Sequence, residues 1–146
     1  MTLPRIRAAV ALENEDGVLL VRHQKGEKTY WLLPGGGVDY GEPTHEAARR
    51  EITEETGLEV EIGPLLLVGE TISPDGTRHV LHLVFRGRQT GGSLRQSEDH
   101  RVVEARFVPL EQLSELVIHP PLREPLVQAL RDPACQGQYL GGLWID

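Results

Sequence analysis

The sequence predicts an α/β (α+β) fold, a mixed β-sheet covered by α-helices, in one domain spanning residues 1–146. Three observations lead there. Strand-like runs come in hairpins instead of alternating regularly with helices. Two segments keep helical spacing, Pro43 to Thr56 and Leu122 to Arg131. A chain of 146 residues buries roughly 68–70 % of its unfolded surface and needs no disulfide or metal to hold a core.

The elements follow in order. Ile6, Ala8, Val10 and Leu12 alternate as in a half-buried strand. Asn14-Glu15-Asp16-Gly17 is a turn, and Val18 to Val21 returns to close a hairpin. Gln24 to Thr29 reads as a polar loop, and Tyr30 to Leu33 as a short strand ending at Pro34. After the first helix, Glu59 to Ile62 and Leu65 to Thr71 read as two strands. Ser73-Pro74-Asp75-Gly76 is a turn, and His79 to Arg86 is the returning strand. Gly91-Gly92 breaks the chain. Glu104 to Val108 is a further strand, Pro109 to Leu116 a short helix, and Pro120-Pro121 its end. The apolar tail, Tyr139 to Asp146, is expected to dock on the body or on a second subunit.

Composition excludes several classes. The net charge of −7 argues against nucleic acid as a partner. No run approaches 18 apolar residues and the N-terminus has no apolar h-region, which predicts neither a membrane span nor a signal peptide. One cysteine, Cys135, excludes an internal disulfide and points to the reducing cytoplasm.

The decisive feature is acidic. Glu51, Glu54 and Glu55 fall within an arc of about 100° on one helix face. Two carboxylates about 5 Å apart repel by roughly 3 kcal/mol at an effective dielectric of about 20. Alone, a Glu-rich face is an ordinary solvated surface. Its surroundings point instead to a divalent cation, Mg²⁺ or Mn²⁺, since hard ions take carboxylate and carbonyl oxygen and Mg²⁺ accompanies phosphate substrates. An anionic substrate also calls for local cations in this acidic chain, and Arg22, Lys25, Lys28, Arg78, Arg86 and Arg88 are the candidates.

Upstream lies Leu33-Pro34-Gly35-Gly36-Gly37-Val38-Asp39-Tyr40-Gly41-Glu42-Pro43. The three glycines permit unusual backbone angles and close backbone approach. Pro43 suits the first helical position, which makes Glu42 the expected N-cap. Arg50 lies two turns on and is placed to pair with Glu42. Gly57 suits the left-handed residue that ends the helix. From Gly36 the spacing is GX5EX7REUXEEXGU, complete through Glu42, Arg50-Glu51, Glu54-Glu55, Gly57 and Leu58. Seven fixed positions, each of about 5–7 % frequency, coincide by chance roughly once in several hundred million windows. Neither GxxxxGK[ST] nor GxGxxG is completed.

On these residues the chain resembles the Nudix hydrolases. The resemblance implies an α/β/α sandwich, a nucleotide-type small-molecule substrate, and metal-dependent hydrolysis of a diphosphate linkage by water. It implies that Glu51, Glu54, Glu55 and the Gly36 carbonyl face the metal, that one Glu takes the proton from water, and that Glu42 and Arg50 support the site. A homodimer is an expectation from the family only. Relatives often add a later acidic residue. Here Arg101 stands where that Glu is common, and Glu98 is the first choice, before Asp99 and Glu104. Pro74, 16 residues after Leu58, resembles a proline of ADP-ribose pyrophosphatases, though it also suits its turn. Arg22, Pro74 and Arg78 are the substrate-binding candidates. Trp31, Tyr30, Tyr40 and Phe85 offer rings for a base, with core packing the competing role. ADP-ribose or another nucleotide sugar is the preferred substrate. A nucleoside triphosphate with an oxidised purine and a nucleotide-sensing domain without turnover are the alternatives.

Overall fold

The computed structural model describes residues 3–97 and 99–143. Among them the elements are β1 (Arg5–Asn14), β2 (Gly17–Lys25), β3 (Lys28–Leu32), β4 (Gly35–Gly37), α1 (Thr44–Thr56), β5 (Leu58–Ile72), β6 (His79–Gly92), β7 (Val102–Val108), a 3-10 helix (Leu110–Glu115), α2 (Arg123–Arg131) and β8 (Gln138–Gly142). The strands run β3-β2-β1-β6-β5-β8, with β4 added to β1 and β7 to β2.

The β1–β2 hairpin pairs only next to its turn, at Glu13↔Val18 and Asn14↔Gly17. Beyond that the two strands part. β1 pairs in parallel with β6 and antiparallel with β4, while β2 takes β3 and β7, both antiparallel.

β1 is more than a half-buried strand. Ala8, Val10 and Leu12 pack with Ala47, Ala48 and Ile52 of α1. Ala9 and Ala11 pack on the opposite side, with Leu113 of the 3-10 helix and Leu126, Ala129 and Leu130 of α2. Alternation of small with large apolar residues hid this two-sided burial, because alanine fills a core without reading as strongly apolar. Both faces of the mixed sheet are covered, which is the predicted sandwich of helices about strands.

Several elements run further than predicted. The polar segment Gln24 to Thr29 pairs as strand, Gln24↔Thr29 and Lys25↔Lys28, leaving only Gly26 and Glu27 as a turn. Its side chains are polar because they face water, while the backbone bonds are met across the hairpin. β5 is one strand with register shifts between Ile62 and Leu67 where a break was expected, and β6 continues through Gly91 and Gly92. The tail docks on the body, β8 pairing in parallel with β5. Its last residues, 144–146, lie outside the described residues.

Candidate active site

α1 begins one residue later than predicted. Pro43 is its N-cap, with no side-chain capping bond, and Glu42 stands outside the helix. Glu42 is committed elsewhere: its two oxygens accept from Arg50 Nε and Nη2, each at 2.9 Å. That charge-assisted fork holds the Glu42 carboxyl down at a pKa of about 2. The helix ends as expected at Gly57, left-handed at φ 82°. Ala47, Ala48 and Ile52 turn into the core, so the carboxylates emerge along the flank facing β4 and the cleft.

Arg50 is the hub of this flank. Besides Glu42 it donates to Glu51 Oε1 at 2.9 Å and reaches Glu54 Oε2 and Asp39 Oδ2, both at 3.5 Å. Its own pKa is raised, mainly by the bond to Glu42. The repulsion within the acidic cluster is therefore partly relieved by an arginine of the same motif. Burial pushes the Glu51 carboxyl up and the Arg50 bond opposes it.

β4 lies against the same flank. Gly35 N–H donates to Glu55 Oε1 at 2.9 Å. At Gly36 a Cβ would fall 2.5 and 2.6 Å from the Glu51 carboxylate oxygens. None of the three glycines has a positive φ. They are extended strand, and close approach to the neighbouring backbone and to Glu51 explains glycine here, with no unusual backbone angle involved. Among the described residues no three acidic, histidine or cysteine side chains already converge as a metal site. The set is nonetheless of the chemistry hard cations take: three carboxylates on one flank beside a bare backbone segment. Glu54, 59 % exposed in its side chain, is free to turn toward an ion, and Glu51 needs only to exchange one arginine bond.

A cleft of about 260 Å³ opens beside Glu55, between the segment Leu94 to Ser97 and Val102 to Ala105 of β7. Glu104 lines it across from Glu55, paired with Arg22 Nε at 3.0 Å. Arg95, also on the wall, anchors its segment to the end of α1 through bonds to the Thr53 and Thr56 carbonyls. A cation at that position also complements the helix dipole.

The remaining candidates are placed as follows. Arg22 reaches the cleft only through Glu104. Pro74 and Arg78 belong to the β5–β6 turn, organised around Asp75, and neither lines the cleft. Arg86 bonds the Ala129 carbonyl at the end of α2, and Arg88 pairs with Glu61. Asp99 is held by Arg101 at 3.0 Å. Glu98, the first choice for the later acid, lies outside the described residues. Trp31 and Phe85 are core, Tyr30 is packed by His23 and His119, and Tyr40 is fully exposed. Sequence reasoning missed Arg95, His23 and the half-buried Arg7, which donates to the Leu33 carbonyl at 2.8 Å. Burial lowers the Arg7 pKa, while Glu55 and Glu51 raise it. Nothing in the local sequence marks these three; only the fold brings them to the carboxylates.

A NUDIX domain model matches residues 3–130, and with the complete motif on α1 the chain belongs to the Nudix family. It is similar to an ADP-ribose pyrophosphatase of Methanocaldococcus jannaschii, 35% identical over 114 residues that cover 77% of this chain and 66% of that protein. It is also similar to the 8-oxo-dGDP phosphatase NUDT18 of Homo sapiens, 39% identical over 108 residues, 72% of this chain and 32% of that one. The chain thus spans just under two thirds of the archaeal relative and about a third of the human one. Among solved structures, a MutT NUDIX hydrolase from Burkholderia pseudomallei superposes with a TM-score of 0.75 at 31% identity, covering 86% of this chain and 98% of that chain.

Proposed function

We propose that the chain is a pyrophosphohydrolase that cleaves the diphosphate linkage of a nucleoside diphosphate derivative, ADP-ribose or a nucleotide sugar before others. The observation that carries this is the flank of α1, where Glu51 and Glu55 stand against the bare backbone of Gly36 and Gly35, Glu54 is exposed beside them, and Glu55 lines a cleft. Glu51, Glu54, Glu55 and the Gly36 carbonyl would hold Mg²⁺ or Mn²⁺. A divalent ion bound there supplies neutralisation of the diphosphate oxygens and a more acidic attacking water. The chain's own residues do the rest. Arg50 and Glu42 brace the flank, and Arg95 offers a cation on the cleft wall for a phosphate oxygen. One helix carboxylate, or an acid across the cleft, accepts the proton of the attacking water. Glu98 stays the first choice for that second role, and Glu104, which lines the cleft with Glu55, is the alternative. A cytoplasmic location belongs to the same reading and rests on the lone Cys135.

Likeness to the archaeal ADP-ribose pyrophosphatase supports the preferred substrate. Likeness to NUDT18 supports a second reading, an oxidised purine nucleotide. Incubating the protein with each candidate and Mg²⁺, with phosphatase to release phosphate from the new monoesters, separates the two by kcat/KM. Glu54→Gln is expected to lower turnover at least about a hundredfold, the usual scale for losing a charge-stabilising group. Near-normal turnover in that variant would refute the assignment of Glu54.

A further inference from the structure

Glu55 is the best-shielded of the three carboxylates, and its surroundings contain an unexplained atom. Oε1 is taken by Gly35 N–H, while Oε2 faces His23 Nε2 at 4.0 Å. That nitrogen is buried and has no hydrogen-bond partner among the described residues. Buried polar atoms are nearly always paired, so a stranded one beside a functional carboxylate asks for a reason. The pairing around His23 is irregular as well. Between Arg22↔Glu104 and His23↔Val102 the register shifts by one extra residue of β7, Val103, and a bulge of this kind is common next to an active site. The ring is then braced by Tyr30, whose centroid lies 5.7 Å away, and Tyr30 is in turn set edge-on against His119 at 5.1 Å.

We propose that His23 is a positioning residue for Glu55. Its ring is the Nε2–H tautomer, and closing the gap by about 1 Å brings Nε2–H into ordinary hydrogen-bond range of Oε2. Glu55 is then gripped at both oxygens, one by the β4 backbone and one by β2, which would fix the carboxylate for the cation it is proposed to hold. The inference rests on the proposed cation-binding role of Glu55. It explains why an imidazole turns its Nε2 into the interior opposite a bulge in β7, where an apolar residue would pack without an orphaned nitrogen.

The test uses the whole 146-residue chain. Imidazole ¹⁵N spectra, with and without Mg²⁺, report whether Nε2 carries the proton. Mn²⁺ titration followed by electron paramagnetic resonance reports affinity in wild type, His23→Leu, His23→Gln, Glu55→Gln and the Glu55→Gln, His23→Leu double variant. His23→Leu is expected to weaken Mn²⁺ binding about tenfold, the lower end of what loss of a ligand's orienting partner costs. His23→Gln, which keeps an N–H donor, should stay within about threefold of wild type, and His23→Leu should add nothing in the Glu55→Gln background. Wild-type affinity in His23→Leu, equal loss in the Leu and Gln variants, or a bare Nε2 in the Mg²⁺-loaded spectrum would each overturn the role. Failure of the proposed function looks different: wild type would take up no Mn²⁺. The His23 Nε2 resonance in the ion-free protein then decides, a shift on Glu55→Gln upholding the contact and an unmoved line overturning it.

Discussion

Adding one methyl group at Gly36 should separate function from folding. A Cβ there would stand 2.5 and 2.6 Å from the two Glu51 oxygens, where an ordinary contact needs about 3.4 Å, so the carboxylate must retreat by about 0.9 Å. The obstacle is the end of a flexible side chain and the backbone at Gly36 is extended with no positive φ, so the fold can absorb the change. The reacting geometry cannot, since a displacement of about 1 Å costs on the order of a hundredfold in rate. Gly36→Ala is therefore expected to lose about a hundredfold in kcat/KM, equivalent to about 2.7 kcal/mol of transition-state stabilisation. Its thermal transition should stay within about 2 °C of wild type, because surface-side changes that create no core strain stay near ±0.5 kcal/mol. Gly35→Ala is the control. There a Cβ would meet the Ala8 carbonyl and lie 2.6 Å from Ala9 Cα, which are backbone and cannot step aside. That variant should lose about 1–3 kcal/mol of stability, as overpacking usually does. Steady-state kinetics and thermal unfolding of both proteins decide the matter. A Gly36→Ala enzyme with kcat/KM within a few-fold of wild type, or one that unfolds like Gly35→Ala, would refute the reasoning.

Other expectations can be checked alongside. His82 is buried, bonded through Nε2 to Thr71 Oγ1, with its pKa pushed down by burial to about 4. A histidine kept neutral in the folded chain contributes stability that is present above about pH 6.5 and is lost as pH falls toward 4, amounting to roughly 3 kcal/mol at most. Urea titrations across that window should show His82→Gln losing less stability than wild type; parallel curves would contradict the burial argument. Ile52 is fully buried between α1 and β1, so Ile52→Ala should cost about 2–5 kcal/mol in urea unfolding with the slope unchanged. Arg50→Lys keeps the charge but not the fork on Glu42, and should lower kcat/KM by about tenfold or more, with Mn²⁺ affinity falling in step. Activity and affinity equal to wild type would mean that Arg50 acts only through its charge.

What the chain shows by itself and what folding adds divide along the range of the interactions. Glu51, Glu54 and Glu55 share a flank because helical periodicity is local, and Gly57 stops the helix for an equally local reason. The motif from Gly36 to Leu58, and with it the family, is legible for the same cause: all its parts lie within a few turns of one another. Even there a tertiary preference intervened, since Arg50 draws Glu42 off the helix end and leaves Pro43 as the cap. Polar strands such as Gln24 to Thr29 hide from pattern reading because pairing satisfies the backbone whatever the side chains are. The two-sided burial of β1 shows only when α1 and α2 close on opposite faces of the sheet. The partners of the carboxylates come from farther still: Gly35 on Glu55 from β4, His23 beside it from β2 opposite a bulge in β7, Glu104 and Arg95 on the cleft walls from β7 and the segment before it. Spacing along a chain encodes what one helix presents, whereas the walls of a site are set by which strands the sheet places side by side.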